Sequence, residues 1–139
     1  MMNTTHKNKA FATLLAAVTG GFGLHRFYLH GLSDRWGWAH LATLPATSII
    51  IGLGIGQHLL FQGGLLVLSI LIGFIEALVL GLTPDEKWDA SFNKNSGKAS
   101  DSGWPVVVLL VATLGLGVSA LIAALARSFD LLFTGGAFG

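Results

Sequence analysis

Cysteine is absent from the 139 residues. That excludes disulfides, thiolate nucleophiles and cysteine-ligated zinc or iron–sulfur centres, and it leaves the redox compartment open. Charge is scarce too: 11% of residues are Asp, Glu, Lys or Arg, against 53% hydrophobic. A water-soluble chain this short could not cover so much apolar side chain with polar surface. The net charge of +1 gives no basic field, so no nucleic-acid partner is implied. Proline occurs only three times, and one of the three, Pro45, interrupts an apolar run. What remains is a chain of long apolar stretches. They predict an all-α integral membrane helical bundle with three or four transmembrane segments and no separate soluble domain.

A helix needs about 20 residues to cross a hydrocarbon core of roughly 30 Å. Three runs meet this plainly: about 10–29, after the basic lead His6-Lys7-Asn8-Lys9; 59–82; and 104–127, which opens on Trp104 as an interfacial anchor with Pro105 in a tolerated first-turn position. The first run is expected to be retained rather than cleaved, because His25-Arg26-Phe27-Tyr28 follows it where a small-x-small cleavage site would stand. The run 36–56 is ambiguous. Pro45 lies near its middle beside Thr43, Thr47 and Ser48, so it reads either as a kinked span or as an interfacial helix from Asp34 to Leu44 followed by a piece that dips partway in.

Small residues recur at every fourth position in three runs: Ala12-Ala16-Gly20, Ser69-Gly73-Ala77-Gly81 and Gly115-Ser119-Ala123. Each set falls on one helical stripe where backbones can approach closely, which favours a compact bundle or a homo-oligomer. Between the last two runs, Thr83-Pro84-Asp85-Glu86 fits a capping box and predicts a short helix over 84–93. Trp88 and Phe92 share one face of it, so the helix should lie in the interface. Residues 94–103 have no apolar period and read as a flexible linker. The tail 128–139, with its Gly135-Gly136 pair and terminal glycine, is expected to lack an ordered end.

Residues 20–31 read GGFGLHRFYLHG. An apolar helix entered from Lys7-Asn8-Lys9 and closed by Gly21, Phe22, Gly23, His25, Arg26, Phe27 and Tyr28 resembles the TM-2 (two-transmembrane) domain family. Phe74-Ile75-Glu76-Ala77-Leu78 and Asp85-Glu86-Lys87-Trp88-Asp89-Ala90-Ser91-Phe92-Asn93 are similar to two later pieces of bacterial members. The resemblance therefore spans residues 7–93, with extra apolar sequence inside it and His30 where a glycine is usual. It implies a membrane topology, in a bacterial cytoplasmic membrane, more than a reaction.

Chemistry-bearing patterns are few. His25, His30 and His40 lack the spacing of metal ligands on one helical face, and Gly115-Leu116-Gly117-Val118-Ser119-Ala120 imitates a dinucleotide fingerprint without a preceding strand. No catalytic residue, cofactor or metal site is assigned, and the chain is not read as an enzyme. Glu76 and Arg26 stand out, since an acid inside a membrane run must face a partner, water or the bundle interior. An Arg26–Glu76 ion pair that locks helices together is the simpler reading, with Trp88, Phe92 and Trp104 as interfacial anchors.

Two functions stay open. One is a small multi-pass protein acting by contact with itself, with lipid or with another membrane protein. The other is a conduit or transporter subunit with Glu76 as an intramembrane proton or cation site. Four spans would put the 31–35 turn and the 83–103 loop on one side and both termini on the other, with the loop side cytoplasmic by its Lys and Arg count. They would also make the first and third runs parallel and so bring Arg26 to the depth of Glu76. A re-entrant second run would make them antiparallel and separate the two.

Overall fold

The computed structural model describes residues 5–56 and 58–138. All regular structure among them is helical: α1 Lys9–Thr19, a 3₁₀ turn Gly20–Phe22, α2 Leu24–His30, α3 Arg35–Gly52, α4 Leu59–Gln62, α5 Gly64–Leu82, α6 Asp85–Phe92 and α7 Trp104–Thr134.

The first apolar run is two helices rather than one. α1 starts at an Asn8 cap whose side chain accepts from the Phe11 amide, and it stops after 11 residues. The chain then turns through Gly20–Phe22 and through Gly23, whose φ of 73° is open to glycine and strained for other residues. α2 comes back beside α1, so that Tyr28 Oη accepts from the Asn8 amide at 2.9 Å and the Tyr28 ring meets Phe11 edge-on at 5.1 Å. At 1.5 Å per residue α1 and its turn reach roughly 20 Å, too short to cross. Residues 10–29 therefore form a helical hairpin, which corrects the expectation of a single helix.

α5 is the central helix. Gly20 lies against Gly73, Gly21 against Ile70 and Thr13 beside Gly81, so α1 runs antiparallel to α5 along two of the three small-residue stripes. α7 is antiparallel as well, with Leu110 beside Gly81 and Phe74 beside Gly117. The third stripe, Gly115-Ser119-Ala123, is exposed on the outer face of α7. α3 runs unbroken through Pro45, with the Thr43 and Ser48 hydroxyls bonded to the His40 and Leu44 carbonyls around it. The chain then reaches α4 and the foot of α5, so that α3 and α5 are neighbours in sequence order as antiparallel helices are. Residues 35–52 are thus one helix through Pro45 rather than two separate pieces. α5 and α7 are each long and apolar enough to cross a membrane.

Two other segments differ from expectation. The last helix extends past 127 to Thr134, where Gly135 in a left-handed conformation ends it; Gly139 lies outside the described residues. α6 starts at Asp85, and Thr83 does not cap it, because its hydroxyl is bonded back to the Val79 carbonyl.

The helical hairpin changes the sidedness. His6, Lys7 and Lys9 contact Ser96, Asn93 and Asp85, so the amino-terminal residues share a side with the 83–103 loop. Arg127 and His58 lie at the opposite end. Of the eight Lys and Arg, only Arg127 is then on the far side, so the positive-inside rule predicts that the amino-terminal side faces the cytoplasm. Thr5→Cys and Lys98→Cys, in a chain without native cysteine, should be labelled by an impermeant reagent from the cytoplasmic side and Thr134→Cys from the other. Labelling of Thr5→Cys and Lys98→Cys from opposite sides would refute the arrangement.

Candidate functional site

Two polar layers organise the half of the bundle that holds residues 6–9 and the 83–103 loop. The outer one lies at the interface. Trp88 is fully buried; its Nε1 donates to the Lys7 carbonyl at 3.0 Å and its ring packs on Phe92 at 4.6 Å. Lys9 Nζ donates to the Thr83 carbonyl and to Asp85 Oδ1, both at 2.7 Å. The segment 94–103 is tied down rather than free. Ser100 donates its amide and hydroxyl to Asp89, and Ser102 donates the same pair to Asp85. Those carboxylates supply the acceptors that an aperiodic polar stretch cannot supply for itself. Trp104, by contrast, is 76% exposed, in keeping with an anchor that faces lipid headgroups.

Burial acts to raise the Asp85 pKa, but the hydrogen bonds from Lys9 and Ser102 outweigh it and hold the group at about 2. A carboxylate depressed in the folded state stabilises it above its ordinary pKa near 4, and that contribution is lost as pH falls towards about 2. Asp85→Asn should therefore lower the thermal midpoint at neutral pH and remove part of the acid sensitivity in this window. Thermal unfolding of both proteins in detergent across the window checks this; parallel pH profiles would contradict it.

The inner layer is a cluster of five side chains from three elements and a turn. Arg26, on α2, donates Nε to Asp34 Oδ2 at 2.7 Å and Nη1 to Glu76 Oε1 at 2.5 Å. Asp34 also caps α3 by accepting from the Gly37 amide at 2.7 Å. The Arg26 hydrogen bond holds its carboxyl below the usual carboxylate range. His25 is buried and its Nε2 lies 2.9 Å from Glu76 Oε2. His40 Nε2 lies 3.2 Å from the same oxygen. His40 Nδ1 is 2.7 Å from Ser69 Oγ, which donates in turn to the Gly21 carbonyl at 2.7 Å. Glu76 precedes the end of α5 by six residues, about 9 Å along the axis.

The cluster stands at the head of a cavity of about 390 Å³ between α3 and α5, walled by Trp36, Ala39, Thr43, Leu65, Leu68 and Ile72. Arg26 and Glu76 are close because α2 folds back. Parallel first and third runs, the expected reason, do not occur. Asp34, His40, Ser69, Lys9, Asp85 and Asn93 were not singled out as site residues from the sequence, although Asp34 and Asn8 carried the signal of helix caps. Among the described residues no group of three or more His, Asp or Glu is arranged to hold a metal ion.

The closing motif around the turn is used in packing throughout. Gly21 lies against Ile70, Gly23 against Gly37, Phe27 against Gly37 and Trp38, and Tyr28 against Asn8 and Phe11, while Phe22 completes the 3₁₀ turn. Residues 5–56 match the family model of the TM2 domain. That stretch, about the first two fifths of the chain, is similar to a TM2 domain. No curated protein and no solved structure matches the chain. The matched stretch holds the hairpin and α3, so it supplies His25, Arg26, Asp34 and His40, whereas Glu76 comes from α5 beyond it. The protein is thus a small membrane protein in which the stretch that matches the TM2 model is followed by two further apolar helices, α5 and α7.

Proposed function

We propose that the protein acts by contact within the bilayer, with lipid, with another copy of itself or with another membrane protein, in the cytoplasmic membrane of a bacterium. No catalysed reaction and no nucleic-acid partner belong to this reading. The observation that carries it is the outer face of α7, where the Gly115-Ser119-Ala123 stripe and its apolar neighbours are exposed while the two matching stripes are used inside the bundle. Close backbone approach is the property such a stripe offers. Single Ser119→Cys should give a disulfide-trapped species in membranes, with itself or with a co-purifying protein, and Thr113→Cys, on the buried face of the same helix, should give less. A monomer in the membrane with no trapped partner at either position would overturn contact with a second protein through this face and leave lipid contact alone.

A second reading, with Glu76 as an intramembrane proton or cation site in a conduit or transporter subunit, is favoured by one observation. Two imidazole nitrogens converge on one Glu76 oxygen at the head of a groove.

A further inference from the structure

The hydrogen bonds around His40 determine where its protons are. Ser69 has one hydroxyl proton and gives it to the Gly21 carbonyl, so Ser69 Oγ accepts from His40 Nδ1 and that nitrogen carries hydrogen. In a neutral His40, Nε2 is then a bare lone pair, and it would face a carboxylate oxygen 3.2 Å away. Two acceptors at that distance repel. One proton must lie between them, on His40 Nε2 or on Glu76 Oε2. His25 is different: its Nε2 donates to Glu76, and its Nδ1 is buried without a partner, which suits a neutral ring.

The charge balance follows. Arg26 and the shared proton offset Asp34 and Glu76. His25 on α2, Ser69 on α5 and the Gly21 carbonyl complete the surroundings from each packed element, with the exposed His30 and Arg35 at the periphery. Loss of the proton leaves one uncompensated negative charge inside an apolar bundle, which is costly unless another cation takes its place. An inorganic ion would need several oxygen ligands, and the Glu76 oxygens are already engaged by Arg26 and the two histidines. The way in is through the groove, whose walls of Leu65, Leu68 and Ile72 suit an alkyl chain and whose Trp36 offers an aromatic face to a cation.

We propose that the groove between α3 and α5 is a site for an amphiphilic organic cation that exchanges with a proton shared by Glu76 and His40. This rests on the second reading above. The cation enters with its chain along the groove and its charged end at Glu76, and the shared proton leaves to water, so charge is conserved within the cluster.

Octyltrimethylammonium, octan-1-ol and octyl sulfonate, titrated calorimetrically into the full chain in nanodiscs, test it. The cation should bind at least about tenfold tighter than the alcohol or the anion. In buffers of different ionisation enthalpy it should release one proton, and its affinity should rise about tenfold per pH unit while the site is protonated. Glu76→Gln should remove both the preference and the pH dependence. Leu68→Trp, which fills the groove away from the cluster, should abolish binding while the His40 titration followed by nitrogen-15 NMR persists. Equal binding of the three amphiphiles, or binding without proton release, would overturn the exchange proposal even where His40 titrates normally. A His40 that does not titrate with Glu76 would overturn the proposal together with the reading it rests on.

Discussion

Gly73→Leu should leave no folded bundle, and Gly73→Ala should cost about 2–3 kcal/mol, whereas Gly115→Ala on α7 should be neutral or gain up to about 1 kcal/mol. A Cβ at Gly73 would lie 2.6 Å from the Gly20 carbonyl carbon, 2.7 Å from its Cα and 2.9 Å from the Gly21 amide nitrogen. All three are backbone atoms at a helix crossing. No side chain can rotate away, so relief requires the α1 turn to move off α5, and with it the Ser69 bond to the Gly21 carbonyl. Gly20→Ala meets Gly73 Cα at 2.6 Å and should behave like Gly73→Ala. Gly115 has nothing within 4 Å of an added Cβ, so only its helix propensity changes. Unfolding in mixed micelles with rising dodecyl sulfate separates these cases. Equal midpoints for Gly73→Ala and Gly115→Ala would mean that α1 and α5 do not cross at Gly20 and Gly73.

The contrast between these glycines shows what was legible in the sequence. The small-residue spacing identified α5 and α1 as helices that approach closely, and both stripes meet there. The same spacing on α7 carries no information about which face is covered, and that stripe points outward. Counting apolar residues found α5 and α7 because each is one uninterrupted helix. It failed at residues 10–29 because a count is blind to direction. Gly20, Gly21 and Gly23 within that run were read as part of a helical stripe and a family motif, while the turn they permit reverses the chain and brings residues 6–9 to the side of the 83–103 loop. The polar loop was misread for a related reason. Ser100 and Ser102 have no local partner, and their acceptors, Asp89 and Asp85, lie 11 and 17 residues earlier on α6. His40 and Ser69 are 29 residues apart, and no spacing rule connects them. Glu76 and Arg26 were visible because a charge in an apolar run demands a partner wherever it is. Asp34 was not, because it lies in a turn outside the apolar runs, where a charge needs no partner.

The double role of Asp34, capping α3 and pairing with Arg26, sets the terms for the cluster's energetics. Glu76→Gln should destabilise the bundle by about 2–4 kcal/mol, since it leaves Arg26 with one anion in place of two inside a half-buried site. Asp34→Asn should cost less. Asparagine still caps a helix, and Glu76 remains 2.5 Å from Arg26 to compensate its charge. Arg26→Gln strands both carboxylates and should be the most damaging single change of the three. Combined with Glu76→Gln it removes the unpaired acid as well, so the double variant should be more stable than the sum of the two losses predicts, by roughly 1–3 kcal/mol. Strict additivity in this cycle, measured by the same micelle unfolding, would mean that the ion pair is not formed in the folded state. Coupling of Arg26 to Asp34 but not to Glu76 would instead place Glu76 with His25 and His40 alone. Its carboxylate would then be held by imidazoles, and the stability of the bundle would follow the protonation of His40 rather than the presence of Arg26.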